Sequence, residues 1–109
     1  MKISYLDADI EALCKQFKKA TRDLGAESAK KLQRRLNELF AANVVTDLVA
    51  GRPHPLERDR AGQFAVDLHG GHRLVFKPTL QPPPVKGDGS IDWAQVDEIK
   101  IIEAGDYHD

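Results

Sequence analysis

Four histidines stand where acid–base chemistry could be done. His54 lies between prolines in Arg52-Pro53-His54-Pro55, His69 and His72 flank Gly70-Gly71, and His108 is next to last. Imidazole titrates near neutral pH and both takes and gives a proton, so a histidine on a rigid scaffold suits general acid–base work. Each histidine taken alone reads first as an exposed side chain with no assigned work. His69-x-x-His72 with Asp67 could offer a metal two imidazoles and a carboxylate across a turn. A zinc site, however, needs about three protein ligands in fixed geometry, and no familiar spacing occurs here. Neither a metal nor another cofactor is therefore expected. There is no Gly-rich phosphate loop and no serine in a nucleophile elbow. Cys14 falls on the apolar face of a helix and reads as packing rather than as a nucleophile.

The elements that must position these side chains follow from periodicity. Lys2–Leu6 is a short strand. Asp7 then caps a helix in which Ile10, Leu13, Cys14, Phe17, Ala20 and Leu24 share one face, with Gly25 as its stop. A second helix is predicted over Glu27–Ala42, with Ala29, Leu32, Leu36, Leu39 and Phe40 as its apolar stripe. A helix-and-turn stretch ends at Gly51, and the prolines around His54 predict a loop.

The second half is strand-rich. Phe64, Val66 and Leu68 alternate with Ala65, Asp67 and His69, and Leu74 and Phe76 alternate with Arg73, Val75 and Lys77. A strict two-residue turn at Gly70-Gly71 would pair Leu68 with Arg73 and mix the faces. A longer turn or a bulge is expected instead, leaving Asp67, His69 and Arg73 on the face opposite the core. A Pro-rich excursion at about 78–90 follows. Asp92 then caps a turn bearing Trp93, and a last strand runs from Val96 to Glu103 with Ile99 and Ile101 inward. The expected architecture is a single α+β domain over residues 1–109, with two N-terminal helices packed on one face of a mainly antiparallel sheet of about four strands.

Composition agrees with one small core: 109 residues, 41% hydrophobic and 30% charged. No apolar run is long enough to span a bilayer, no secretory h-region opens the chain, and the single cysteine suits a reducing compartment. The cytoplasm is the expected location, with no membrane partner. The net charge of −1 hides a segregation. Residues 14–35 carry eight bases against Asp23 and Glu27, and residues 78–109 carry Lys86 and Lys100 against seven acids. The basic helical stripe fits a polyanion-binding surface and a solvated helix face equally well.

His54-Pro55-Leu56, Asp59-Arg60-x-Gly62-Gln63-Phe64, Val66-x-Leu68, Arg73-Leu74-x-Phe76 and the terminal Asp106-Tyr107-His108, in that order, resemble the HigB branch of the RelE/ParE toxin superfamily. Each piece is weak alone, and the ordered set over residues 28–108 is more specific. The resemblance implies the toxin of a type II toxin–antitoxin pair, a metal-free endoribonuclease that cuts messenger RNA on the ribosome. It implies a HigA-like helix-turn-helix antitoxin as partner, with operator DNA met only through the toxin–antitoxin complex. His54, Arg73, Asp106, Tyr107 and His108 would form the active site, and Arg58, Arg60, His69 and Lys77 would bind RNA around it. Two histidines would share the acid and base roles, Asp106 would orient one of them, Arg73 would hold the phosphate, and Tyr107 would stack on a base or bond the phosphate. The products would be a 2′,3′-cyclic phosphate and a 5′-hydroxyl.

The sequence departs from that pattern in its slightly acidic balance, in Glu57-Arg58 after His54-Pro55-Leu56, and in Asp67 on the presumed active face. Two rivals follow. One is a ParE-like inhibitor of DNA gyrase that catalyses nothing itself. The other is a degenerate, non-catalytic regulator that binds antitoxin. For antitoxin docking, the expected surface is an exposed basic helix face near Arg34 and Arg35.

Overall fold

The computed structural model describes residues 1–106. Strand β1 (Lys2–Tyr5) is followed by helices α1 (Ala8–Lys15), α2 (Phe17–Leu24) and α3 (Ala26–Ala41). Strands β2 (His54–Pro55), β3 (Phe64–Asp67), β4 (His72–Pro78) and β5 (Glu98–Asp106) complete a sheet of order β1-β5-β4-β3-β2. Every pairing is antiparallel except β1 with β5, which is parallel. The α+β class and the one-sided helix layer match the expectation. The counts, three helices and five strands, do not, and each difference has a local cause.

The predicted first helix is two helices. Asp7 Oδ1 accepts from the Ile10 N–H at 2.9 Å and starts α1, and Lys15 pairs with Glu11 at 2.7 Å one turn earlier. The helix then breaks at Gln16, whose backbone is extended (φ −113, ψ 103). The 3.6-residue period runs through the break, so the apolar pattern carries no sign of it. The bend lets α1 lie over β5 and β1 while α2 runs along α3. Phe17, expected inside the stripe, begins α2 and is 37% exposed. Gly25, at φ 89, ends α2 as expected and turns directly into α3.

The extra strand comes from a segment read as loop. His54 and Pro55 pair with Ala65 and Phe64 at the far edge of the sheet, and the Leu56 N–H donates to the Gln63 carbonyl at 2.9 Å. A proline donates nothing to a ladder, and an edge strand needs donors on one side only. The hairpin of β3 and β4 takes the longer turn. Asp67 stands opposite Arg73, the Leu68 N–H donates to the His72 carbonyl, and His69-Gly70-Gly71 closes the loop with Gly70 at φ 64. Phe64, Val66, Leu68, Leu74 and Phe76 consequently all enter one core with Leu32, Leu36 and Leu39 of α3. The Pro-rich excursion folds back on that core. Asp92 caps the short turn Trp93–Gln95, and the Trp93 ring lies 4.9 Å from that of Phe64.

Helix α3 corrects two expectations. Ala29, Leu32, Leu36 and Leu39 are buried, but Phe40 is 55% exposed, and Arg35 takes the inward place. The expected basic docking face near Arg34 and Arg35 therefore loses Arg35, which lies three residues from Leu32 and seven from Ser28 on the core-facing side. Its Nε donates to the Asp67 carbonyl at 3.2 Å, and its Nη1 meets Glu38 at 2.6 Å. Arg34 is exposed. The bases of residues 14–35 are partly neutralised along the helices by the pairs Lys19–Asp23, Arg22–Asp23 and Lys30–Glu27.

Buried Arg35 sets the character of the next turn. A Cβ on Gly51 would meet Arg35 Nε at 2.6 Å, and the Gly51 backbone holds φ 82. Gly51→Ala combines a left-handed alanine with a collision that a buried guanidinium cannot leave, so a loss of about 1–3 kcal/mol is expected. Gly70→Ala is the control: φ is 64 there, but nothing lies within 4 Å of its Cβ. Urea unfolding of the two variants checks this, and equal losses would show that Arg35 exerts no steric hold.

Candidate active site

The helices cover one face of the sheet. On the other, directly opposed residues form rows that cross the strands, because successive side chains of a strand alternate between faces. One row runs His54–Ala65–Val75–Glu103, and the next runs Asp67–Arg73–Gly105. The floor is apolar: Leu56, Ala65 and Val75 are buried there, with Ile102 packed against them. Ile102 is the extra residue of a bulge in β5, where Val75 opposes Glu103 while Phe76 opposes Ile101. The bulge turns Glu103 onto the open face, where strict alternation from Ile101 would have sent it toward the helices.

Charged groups ring this floor. The Arg52 Nε donates to Asp67 Oδ2 at 2.9 Å, and the other Asp67 oxygen lies 3.9 Å from the Arg73 Nε. Arg60, from the short turn Arg58–Arg60, reaches Glu103 Oε2 at 2.7 Å through Nη2 and Gln63 Oε1 at 2.8 Å through Nε. Lys77 stands opposite Lys100 farther along β4. The His54 Nδ1 lies 2.7 Å from the Arg52 carbonyl. A carbonyl can only accept, so that bond puts a proton on Nδ1, and in the neutral ring the lone pair is then on Nε2.

The residues proposed from sequence separate into groups. His54, Arg60, Arg73 and Lys77 belong to the open face. Arg58 is exposed on the same turn as Arg60, at φ 56, and His69 is exposed at the hairpin tip. Asp106 ends β5 in register with His72, while Tyr107 and His108 lie outside the described residues. His72 turns to the helix side, its Nδ1 2.7 Å from Ser28 Oγ on α3. Asp67 and His72 thus point to opposite faces and cannot share a metal as His69-x-x-His72 suggested. Among the described residues, no three His, Cys, Asp or Glu side chains come together as a metal-binding group.

Three open-face residues were missed. Lys100 was legible, since it alternates with Ile99 and Ile101, whereas Arg52 and Glu103 depend on the Gly51 turn and on the bulge. Cys14 behaves as packing: burial pushes its thiol up to about 12, far from thiolate chemistry.

This arrangement, a basic open face over a small apolar floor with helices behind, can be set beside known proteins. Solved structures align over nearly the whole chain. A YoeB/ParE toxin from Agrobacterium tumefaciens superposes with TM-score 0.61 over 99% of this chain and 100% of its own, at 16% identity. The chain has the fold of the YoeB/ParE toxins. A YoeB–YefM complex from Staphylococcus aureus gives TM-score 0.58 at 17% identity, covering 100% of this chain and 98% of that one. By sequence, the chain is 39% identical over 56 residues to Toxin YoeB of Streptomyces coelicolor, a stretch that is 50% of this chain and 66% of that toxin, just under two thirds of its length. No family model matches. These likenesses lie at the level of YoeB/ParE toxins, and the narrower HigB resemblance goes beyond them. Among the described residues of this toxin fold, no helix is long and apolar enough to cross a membrane.

Proposed function

We propose that this chain is the toxin of a toxin–antitoxin pair and cleaves messenger RNA without a metal. The observation that carries this reading is that His54 and Arg73, from separate segments on either side of β3, lie on one open basic face. Chemistry fits the placement. A ribose 2′-hydroxyl attacks the adjacent phosphorus when a base removes its proton, and neutral His54, with Nδ1–H held by the Arg52 carbonyl, would offer the Nε2 lone pair. Arg73 carries a permanent planar charge for the extra negative charge of the phosphorane. An acid must protonate the departing 5′-oxygen, and that role falls to His108, with Asp106 and Tyr107 beside it in sequence. The bond to phosphorus formed by the 2′-oxygen and the bond lost by the 5′-oxygen leave a 2′,3′-cyclic phosphate and a 5′-hydroxyl.

Arg58, Arg60, His69, Lys77 and Lys100 would hold the flanking RNA. The partner is an antitoxin. The resemblance in sequence suggests a HigA-like helix-turn-helix protein, and the Staphylococcus aureus YoeB–YefM complex offers the alternative of a YefM-like one.

The test is induced expression in bacteria lacking the antitoxin, with 5′-end mapping of transcripts for wild type and His108→Ala. Cuts within translated regions that disappear in the variant are expected. Growth arrest with intact transcripts would move the reading to a gyrase inhibitor, and the absence of arrest would leave a binding-only regulator.

A further inference from the structure

In the ion cluster beside His54, Arg52 and Asp67 have no part in the reading above. Arg52 is an exposed arginine, its side chain 66% accessible, held at φ 48 between Gly51 and Pro53. Its carbonyl fixes His54 and its guanidinium meets Asp67. The Asp67 peptide is gripped on both sides. Its N–H donates to the Gly51 carbonyl at 2.7 Å, and its carbonyl accepts from buried Arg35. The carboxylate is thereby set between two arginines of different segments, one oxygen toward Arg52 and the other toward Arg73. Two oxygens presented to two guanidiniums is also how a phosphodiester's non-bridging oxygens would be bound.

We propose that Arg52 and Arg73 form a two-arginine clamp for an RNA phosphate, and that Asp67 fills the clamp as a displaceable counter-ion until RNA arrives. The clamp rests on the ribonuclease reading for its substrate. A structural ion pair accounts for the cluster less well. An exposed pair contributes about 0–1 kcal/mol, whereas a non-glycine residue at positive φ costs about 1–3 kcal/mol. A backbone held in that conformation to carry a long exposed cation points to use rather than to stability. Displacement is cheap because Asp67 is itself a third exposed and its backbone anchors do not involve its carboxylate. The acid on the active face, a departure by sequence, then acts as a filter: a lone monoanion gains nothing over the carboxylate, whereas an RNA strand binds through several phosphates at once.

The experiment measures binding of a 2′-deoxy-substituted, uncleavable RNA oligonucleotide by anisotropy over a salt series. It uses the full chain, Arg52→Gln, Asp67→Asn and the double variant, with cleavage of the all-ribose strand run in parallel. Arg52→Gln is expected to bind roughly tenfold more weakly, with a log–log salt slope flatter by about 0.7. Asp67→Asn is expected to bind roughly tenfold more tightly, and most of that gain should vanish in the Arg52→Gln background, since the two residues are coupled. Both substitutions keep the side chains' approximate shapes and leave the Arg35 and Gly51 contacts to the Asp67 backbone intact, and unchanged melting temperatures verify it. Affinities within twofold of wild type, or a full Asp67→Asn gain without Arg52, would overturn the clamp. Cleavage by wild type beside such unchanged affinities removes the clamp and leaves the ribonuclease. Arg52-dependent binding without cleavage removes the ribonuclease and leaves an RNA-phosphate clamp, and absence of both removes both.

Discussion

Arg73→Ala is expected to slow RNA cleavage by about 10²–10³-fold, the scale on which one pre-placed donor to a developing charge contributes. Arg73 lies on β4, which is flanked by β3 and β5, and its neighbours across the sheet are Asp67 and Gly105. A strand paired on both sides has little freedom to re-aim a side chain, so the guanidinium needs little reorganisation when the phosphorane forms. Arg73→Lys is expected to recover only part of the rate, because an ammonium supplies the charge without the planar two-point fork. Melting curves separate a loss of stability from a loss of rate. The 3.9 Å contact with Asp67 is partly exposed and contributes at most about 1 kcal/mol, and Asp67 keeps Arg52 when Arg73 is gone. Single-turnover cleavage of a defined RNA, with melting curves for each variant, makes the comparison. An Arg73→Ala protein that is folded and cleaves within threefold of wild type would place the charge stabilisation elsewhere.

What sequence reasoning reached, and what it did not, follows from how far each interaction reaches along the chain. Alternation over Phe64–Asp67 and Arg73–Phe76 announced a hairpin and put Asp67 and Arg73 on one face, because strand period and turn length are local. The caps at Asp7 and Asp92 and the stop at Gly25 were legible for the same reason. The parallel pairing of β1 with β5 joins residues almost a hundred positions apart, and nothing near Lys2 or Glu98 signals it. The break at Gln16 preserves the apolar period, so only packing against two different neighbours reveals it.

The site shows the same division. His54 and Arg73 stood out by type and neighbours, but their shared face depends on the edge pairing of His54 with Ala65, which two prolines concealed. Arg35 misled because an arginine in a basic run reads as solvent-facing. Here the backbone carbonyl of Asp67 and the carboxylate of Glu38 satisfy it where a leucine would otherwise sit. Glu103 reached the open face through a one-residue bulge, a device that a strict two-residue period cannot register.

Phenylalanines 40 and 76 separate periodicity from packing in a single measurement. Both were assigned inward by pattern, yet Phe76 is 0% exposed and Phe40 is 55% exposed. Phe76 sits in the middle of β4, stacked on Phe64 at 5.4 Å, with Ile101 opposite it on β5. Truncation there removes an aromatic ring and leaves a cavity that two neighbouring strands cannot close. Phe76→Ala is therefore expected to cost about 3–5 kcal/mol, a large part of the roughly 5–15 kcal/mol that holds a small protein folded. Phe40→Ala removes a ring already mostly in water, on the last turn of α3, and its expected effect is within about 0.5 kcal/mol. Urea unfolding of the isolated chain reads both. The Phe76 variant should unfold at far lower denaturant or remain unfolded, while the Phe40 variant keeps the wild-type midpoint. A loss at Phe40 comparable with that at Phe76 would mean that α3 is rotated about its axis from the orientation described. Arg35 would then leave its place against Asp67, and the arginine clamp would lose the backbone anchor on which its geometry depends.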